Sequence, residues 1–203
     1  MSKTNGIDPT PIKPGEYSWH WEFLLPTNAQ IKQFTINPVN TTKTISGNCA
    51  SGNIYSNLVN TTDNFDYSFT YSISLTYEPE DVIELLKENI ISNQEDLNAY
   101  LNNAADLVAK MATDYYLKEA EKNKSFRVEY VRRDELTKEM QIYREVPFVN
   151  IAILSLTNSK IPDFELYRRL QQSYLNKQTV PTTEITNDTN NTQNTPTSQD
   201  NEQ

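Results

Sequence analysis

From Phe65 to Tyr77 every odd position is aromatic or aliphatic, and every even one is Asp, Ser or Thr. A period of two over this length predicts a long strand with one buried and one wet face. Tyr17, Trp19, Trp21 and Phe23 alternate with Ser18, His20 and Glu22 in the same way and predict a second strand with its rings turned inward. Phe34 and Ile36 predict a weaker third within residues 30–37, and the Gly/Asn/Ser-rich run 46–53 predicts a turn.

At Tyr77 the period changes. Pro79 at a first helical position, followed by Glu80 and Asp81, predicts a helix start, because proline lacks only an N–H that would be unpaired there. Ser92-Asn93-Gln94-Glu95 has the form of a capping box for a second helix. Leu97, Leu101, Ala104, Val108, Met111 and Tyr115 give that helix an apolar stripe, flanked by Ala105, Ala109 and Ala112. Beyond it the pattern predicts a strand over 126–131, a helix over 134–143 and an inner strand over 146–156, apolar on both faces. Ile161-Pro162-Asp163 interrupts the pattern, since the residue before proline is pushed out of the helical region. A last helix over 163–178 carries Phe164, Tyr167, Leu170 and Tyr174 on one side. The expected fold class is α+β, an antiparallel or mixed sheet packed by helices.

Composition sets the domain limits. Residues 179–203 hold eight Thr, five Asn and only two aliphatics, too little apolar surface to offset the backbone entropy of ordering. They are expected to form a disordered polar tail behind one domain over 1–178, whose first dozen residues look weakly anchored. The whole chain carries 18 basic and 27 acidic residues, a net charge of −9, which argues against nucleic acid as a partner. No apolar run approaches the roughly 18 residues of a membrane span, and no basic-then-apolar leader opens the chain. The chain as given is therefore expected to be soluble and cytoplasmic.

Candidate chemistry is sparse. His20 is the one histidine and Cys49 the one cysteine, so a nucleophilic pair would require the fold to bring them together across some thirty residues. A zinc site needs three or four such ligands. The four glycines match no phosphate-binding loop. Glu78, Glu80, Asp81 and Glu84 cluster at a helix start, where the helix dipole accounts for them. The five Asn-x-Ser/Thr sequons, at Asn40, Asn60, Asn123, Asn187 and Asn190, are what a chain so rich in Asn and Thr produces by chance.

Several segments resemble the stomatin–prohibitin–flotillin (SPFH, Band 7) domain of a bacterial subgroup. Ser2 to Gly6, Pro14 to Trp19 and Leu25 to Asn28 resemble its opening strands. Tyr77-Glu78-Pro79-Glu80-Asp81-Val82 resembles its strand-to-helix junction. Asn150 to Leu156, Ile161-Pro162-Asp163 and Glu165-Leu166-Tyr167 resemble its last strand and the start of its long helix. The resemblance implies a non-enzymatic, membrane-associated scaffold whose partners are copies of itself or related SPFH chains. It departs from the family in three places. Members usually carry an N-terminal anchor ahead of Ser2, which makes Met1 an expected internal start. Members usually extend the last helix into a coiled coil, and here the pattern fades by Gln178. The loop at Cys49-Ala50-Ser51-Gly52 lacks the family's Leu-Pro.

The leading expectation is thus a membrane-associated SPFH-type scaffold that oligomerises. The alternative is a soluble ligand- or peptide-binding module using an exposed aromatic strand face. An enzyme using Cys49 or His20 is the third reading. Buried indoles at Trp19 and Trp21 favour the scaffold, and exposed ones the binding module. No residue is assigned as catalytic, cofactor-binding or metal-ligating, and no cofactor is expected.

Overall fold

The computed structural model describes residues 6–24, 28–58 and 65–179. Its centre is a three-stranded antiparallel sheet in the order β1-β2-β3, formed by β1 (Val39–Asn48), β2 (Asp66–Thr76) and β3 (Asn150–Lys160). The middle strand is the one with the clean alternation. Phe69, Tyr71, Ile73 and Leu75 are all but fully buried, while the intervening Thr70 and Ser72 are partly exposed on the other face. Each such side chain contributes about 1.5–3 kcal/mol by leaving water. β1 pairs with β2 in unbroken register from Val39↔Leu75 to Asn48↔Asp66, whereas the β2–β3 register is interrupted twice.

Two helices follow β2. α2 (Pro79–Lys87) begins at the proline, and the backbone N–H of Glu78 donates to Asp81 Oδ2 at 2.8 Å to close its first turn. α3 (Gln94–Lys122) is the long helix, roughly 43 Å at 1.5 Å per residue. It packs across the inner face of the sheet through Leu97, Leu101, Ala104, Ala105, Val108, Ala109 and Ala112. The alanines leave room for the rings of β2, and Phe69, Tyr71 and Tyr116 stack nearly parallel, with centroids 5.8–6.4 Å apart. The buried stripe drifts from Met111 and Tyr115, half-buried, to Ala112 and Tyr116, because 3.6 residues per turn outruns a 4-3 spacing. The short helices α4 (Arg133–Glu139) and α5 (Ile142–Glu145) lead to β3, with α4 packed against that strand. A second, smaller cluster joins α1 (Gly52–Leu58) to α6 (Phe164–Thr179), with Tyr55, Phe65, Tyr167 and Leu170 buried together.

The α+β class, the antiparallel sheet and the strand, helix, helix, strand and helix centred on 65–77, 79–87, 94–122, 150–160 and 164–179 agree with the sequence reading. Other expectations do not hold. Residues 17–23 form no strand: Trp21–Leu24 is a single 3-10 turn, and Tyr17, Trp19, Trp21 and Phe23 are 45–86% exposed. Residues 30–37 run irregularly, and the expected strand at 126–131 contains a 3-10 turn at Val128–Tyr130. The helix expected over 134–143 breaks at Gln141, which adopts φ +48. β3 starts at Asn150 and lies at the sheet edge; β2 is the inner strand. Residues 46–48 belong to β1, a strand that its Thr, Asn and Lys content concealed, and the turn is confined to Cys49–Ser51. The cap of α3 is displaced by one residue: Asn93 Oδ1 accepts from the Asp96 N–H, while Ser92 donates to the Asp96 carboxylate. The expected tail, 179–203, lies outside the described residues except for Thr179, the end of α6.

Candidate interaction surface

The two residues that could have formed a nucleophilic pair belong to different parts of the fold. His20 lies in the N-terminal arm, residues 6–36, with Nε2 2.9 Å from Ser18 Oγ and 3.6 Å from Asp8 Oδ2, its ring edge-on to Phe23. Cys49 ends the β1 ladder and packs against the α1–α6 cluster, its N–H donating to the Phe65 carbonyl at 3.1 Å. Burial, and then the charge of Glu121, push the Cys49 thiol up from its ordinary value, so it stays protonated at neutral pH. A protonated thiol is a poor nucleophile. Of the acids at the start of α2, Asp81 caps the helix and Glu84 pairs with Lys87 at 2.7 Å. Among the described residues no group of three or more His, Cys, Asp or Glu side chains could hold a metal ion.

What the arm builds is a cleft. Ile12, Phe23, Ile31 and Phe34 face Val82 and Leu86 of α2 across a space of about 1170 Å³. The arm is held near its C-terminal end by hydrogen bonds from Lys32 Nζ to the Ser92 carbonyl and from the Thr35 N–H to Gln94 Oε1, with Tyr77 Oη bridging to Thr35 and Asn37. Trp19 (61% exposed) and Trp21 (50%) lie outside the core, on either side in sequence of His20, which lines the cleft. The alternation of residues 17–23 could not reveal this, because rings alternate identically whether or not a partner strand exists to cover them. Pro14-Gly15 lies ahead of the run, with Gly15 at φ +86, and a 3-10 turn takes up its second half, so the segment joins no ladder.

The second notable surface is the sheet. Its outer face is almost wholly hydroxyl and amide: Asn40, Thr42, Thr44 and Ser46 on β1, against Ser74, Ser72, Thr70 and Ser68 on β2. Thr44 Oγ1 and Thr70 Oγ1 are 3.0 Å apart. Among the described residues no strand pairs with the far side of β1, so that edge carries no second ladder. The sequence reading assigned no strand here and could not have found this edge. No helix of the described residues is long and apolar enough to cross a membrane.

No protein-family model matches the chain, and no solved structure matches it. It is similar to an uncharacterized protein of Treponema pallidum (strain Nichols), 25% identical over 184 residues and covering 85% of this chain. The chain spans 60% of the length of that relative.

Proposed function

We propose that the chain is a non-enzymatic scaffold domain of the SPFH (Band 7) type, which self-associates and works at a membrane. The observation that supports the reading is that two of the motifs behind the resemblance lie at strand-to-helix turns, although residues 14–19, likened to an opening strand, form no strand. Tyr77-Glu78-Pro79 is the turn from β2 into α2, and Ile161-Pro162-Asp163 is the turn from β3 into α6, where Asp163 Oδ1 accepts from the N–H groups of Glu165 and Leu166. Between them lies the long Ala-flanked helix packed on the sheet. Light scattering of the full chain across a hundredfold concentration range tests the self-association: the expected result is a mass that is a multiple of the monomer, and a monomer throughout overturns it.

A second reading is favoured by the exposure of Trp19 and Trp21, which departs from the buried indoles expected of the scaffold. In it the arm and α2 bind an apolar ligand or peptide segment, using the aromatic arm as a wall. Titration with 1-anilinonaphthalene-8-sulfonate checks this. Saturable binding with a blue shift of the tryptophan emission, abolished by Phe23→Ser, is expected; non-saturating binding unaffected by the substitution argues against it.

A further inference from the structure

We infer that the open edge of β1 is a self-pairing surface, on which a second copy of this chain adds its own β1 antiparallel to extend the sheet to six strands. The inference rests on the self-association proposed above and names its interface. A sheet edge is a template for another strand unless something blunts it, and the two edges here differ in that respect. β3 is blunted: its ladder to β2 is twice interrupted, at Thr70/Tyr71 and Ser74/Leu75, and the Arg133 guanidinium occupies the Ala152 carbonyl. β1 has none of these devices. Its register is continuous over ten residues, and it contains neither a proline nor a bulge. Its one charged side chain, Lys43, points to the inner face and is neutralised within the chain by Asp106 at 2.9 Å. Lys32, Thr35 and Asn37, just ahead of β1, bond to Ser92, Gln94 and Tyr77.

The pattern also selects the partner and the register. Side chains facing each other across an antiparallel pair lie on the same face, so a two-fold pairing must match even with even and odd with odd positions. Placing the axis at Lys43 would oppose two like charges on the inner face. Placing it at Thr42 or Ile45 would shorten the overlap within β1 to seven residues. The axis at Thr44 keeps residues 40–48 paired, sets Lys43 opposite Ile45, and makes the outer face a row of Thr44–Thr44, Thr42–Ser46 and Asn40–Asn48 contacts. Thr–Thr and Thr–Ser pairs of this kind stabilise a sheet. The edge is therefore complementary to itself.

Cysteine crosslinking of the full chain tests this, with Cys49→Ser as background. Thr44→Cys on the axis brings two Cα atoms within about 4.5–5.5 Å and should oxidise to a disulfide-linked dimer within the range a disulfide spans. Thr42→Cys, whose copy lies four residues along the partner, about 13 Å away, should not. Thr44→Lys should weaken the dimer by about tenfold or more in light scattering, while far-UV circular dichroism stays unchanged because the position is exposed on the outer face. If the chain oligomerises but Thr44→Cys does not crosslink and Thr44→Lys has no effect, the β1 interface is wrong and the self-association stands. A chain that is monomeric throughout, with no crosslinking, removes both.

Discussion

A methyl group built on Gly47 would lie 2.5 Å from the Tyr67 hydroxyl oxygen and 2.7 Å from the ring carbon that bears it. Gly47 and Tyr67 are direct partners in the β1–β2 ladder, so the ring lies over the glycine. The tyrosine ring is stiff, and relief requires moving it or the strand. Gly47→Ala is therefore expected to lower stability by about 1–3 kcal/mol, the usual cost of overpacking, measurable as a lower urea midpoint. Tyr67→Ala in the same chain should recover part of that loss, because the two side chains share one contact. A second residue-scale test lies in the core. Thr113 Oγ1 donates to the Ala109 carbonyl at 2.9 Å, so the Tyr71 hydroxyl, also 2.9 Å away, is the donor to Thr113. Thr113→Val keeps the volume but strands a buried hydroxyl, at a cost of about 1–3 kcal/mol. The double variant with Tyr71→Phe should be closer to wild type than Thr113→Val alone.

At the scale of elements, legibility followed apolar content. β2 announces itself because seven apolar residues recur at period two and its face is buried along its whole length. β1 does not: only Val39 and Ile45 are large and apolar, and the half-buried positions between them are Thr41 and Lys43. Its place in the sheet comes from its pairing with β2, and pairing leaves little trace in one strand's own composition. The arm failed in the opposite sense, since its rings carry a strand's alternation with no ladder to join. The candidate surface was consequently half legible: its aromatic residues could be read, their exposure could not. Helix limits were read better because they are set locally. Asp81, the Asn93 cap and Asp163 each satisfy backbone groups within their own first turn, and Pro79 leaves one fewer N–H to satisfy. The α1–α6 pair is a weaker unit than the sheet and α3. It has four buried apolar residues, Tyr55, Phe65, Tyr167 and Leu170, plus the Tyr167 hydroxyl bond to the Ala50 carbonyl at 2.6 Å. Native-state hydrogen exchange should show α6 amides opening well before those of β2 and α3. Tyr167→Phe should widen that gap without changing β2 protection.

For the whole molecule, the same stacked rings that hold α3 to the sheet set its response to alkali. Burial pushes the Tyr116 hydroxyl up to about 12, with neighbouring Tyr115 adding to it. Burial drives Tyr71 up further still, with its hydrogen-bond contact to Thr113 opposing the shift. Tyr100, Tyr115 and Tyr167 move in the same direction, each chiefly through burial. In the unfolded chain these groups ionise near pH 10. Between about pH 10 and 12 the native state therefore holds more protons than the unfolded one, and stability must fall as pH rises. Their contribution is fully present below pH 10, so these tyrosines give no slope between pH 7 and 9. The urea midpoint should thus decline steeply only above pH 10, with a slope reporting more than one proton. Tyr116→Phe removes one of those protons while keeping the stack, and should make the alkaline limb shallower with little change in the midpoint at pH 7. If the limb is unchanged in that variant, the ring stack is not the seat of the alkaline transition, and the packing of α3 on β2 at Tyr116 is looser than its 4% exposure implies.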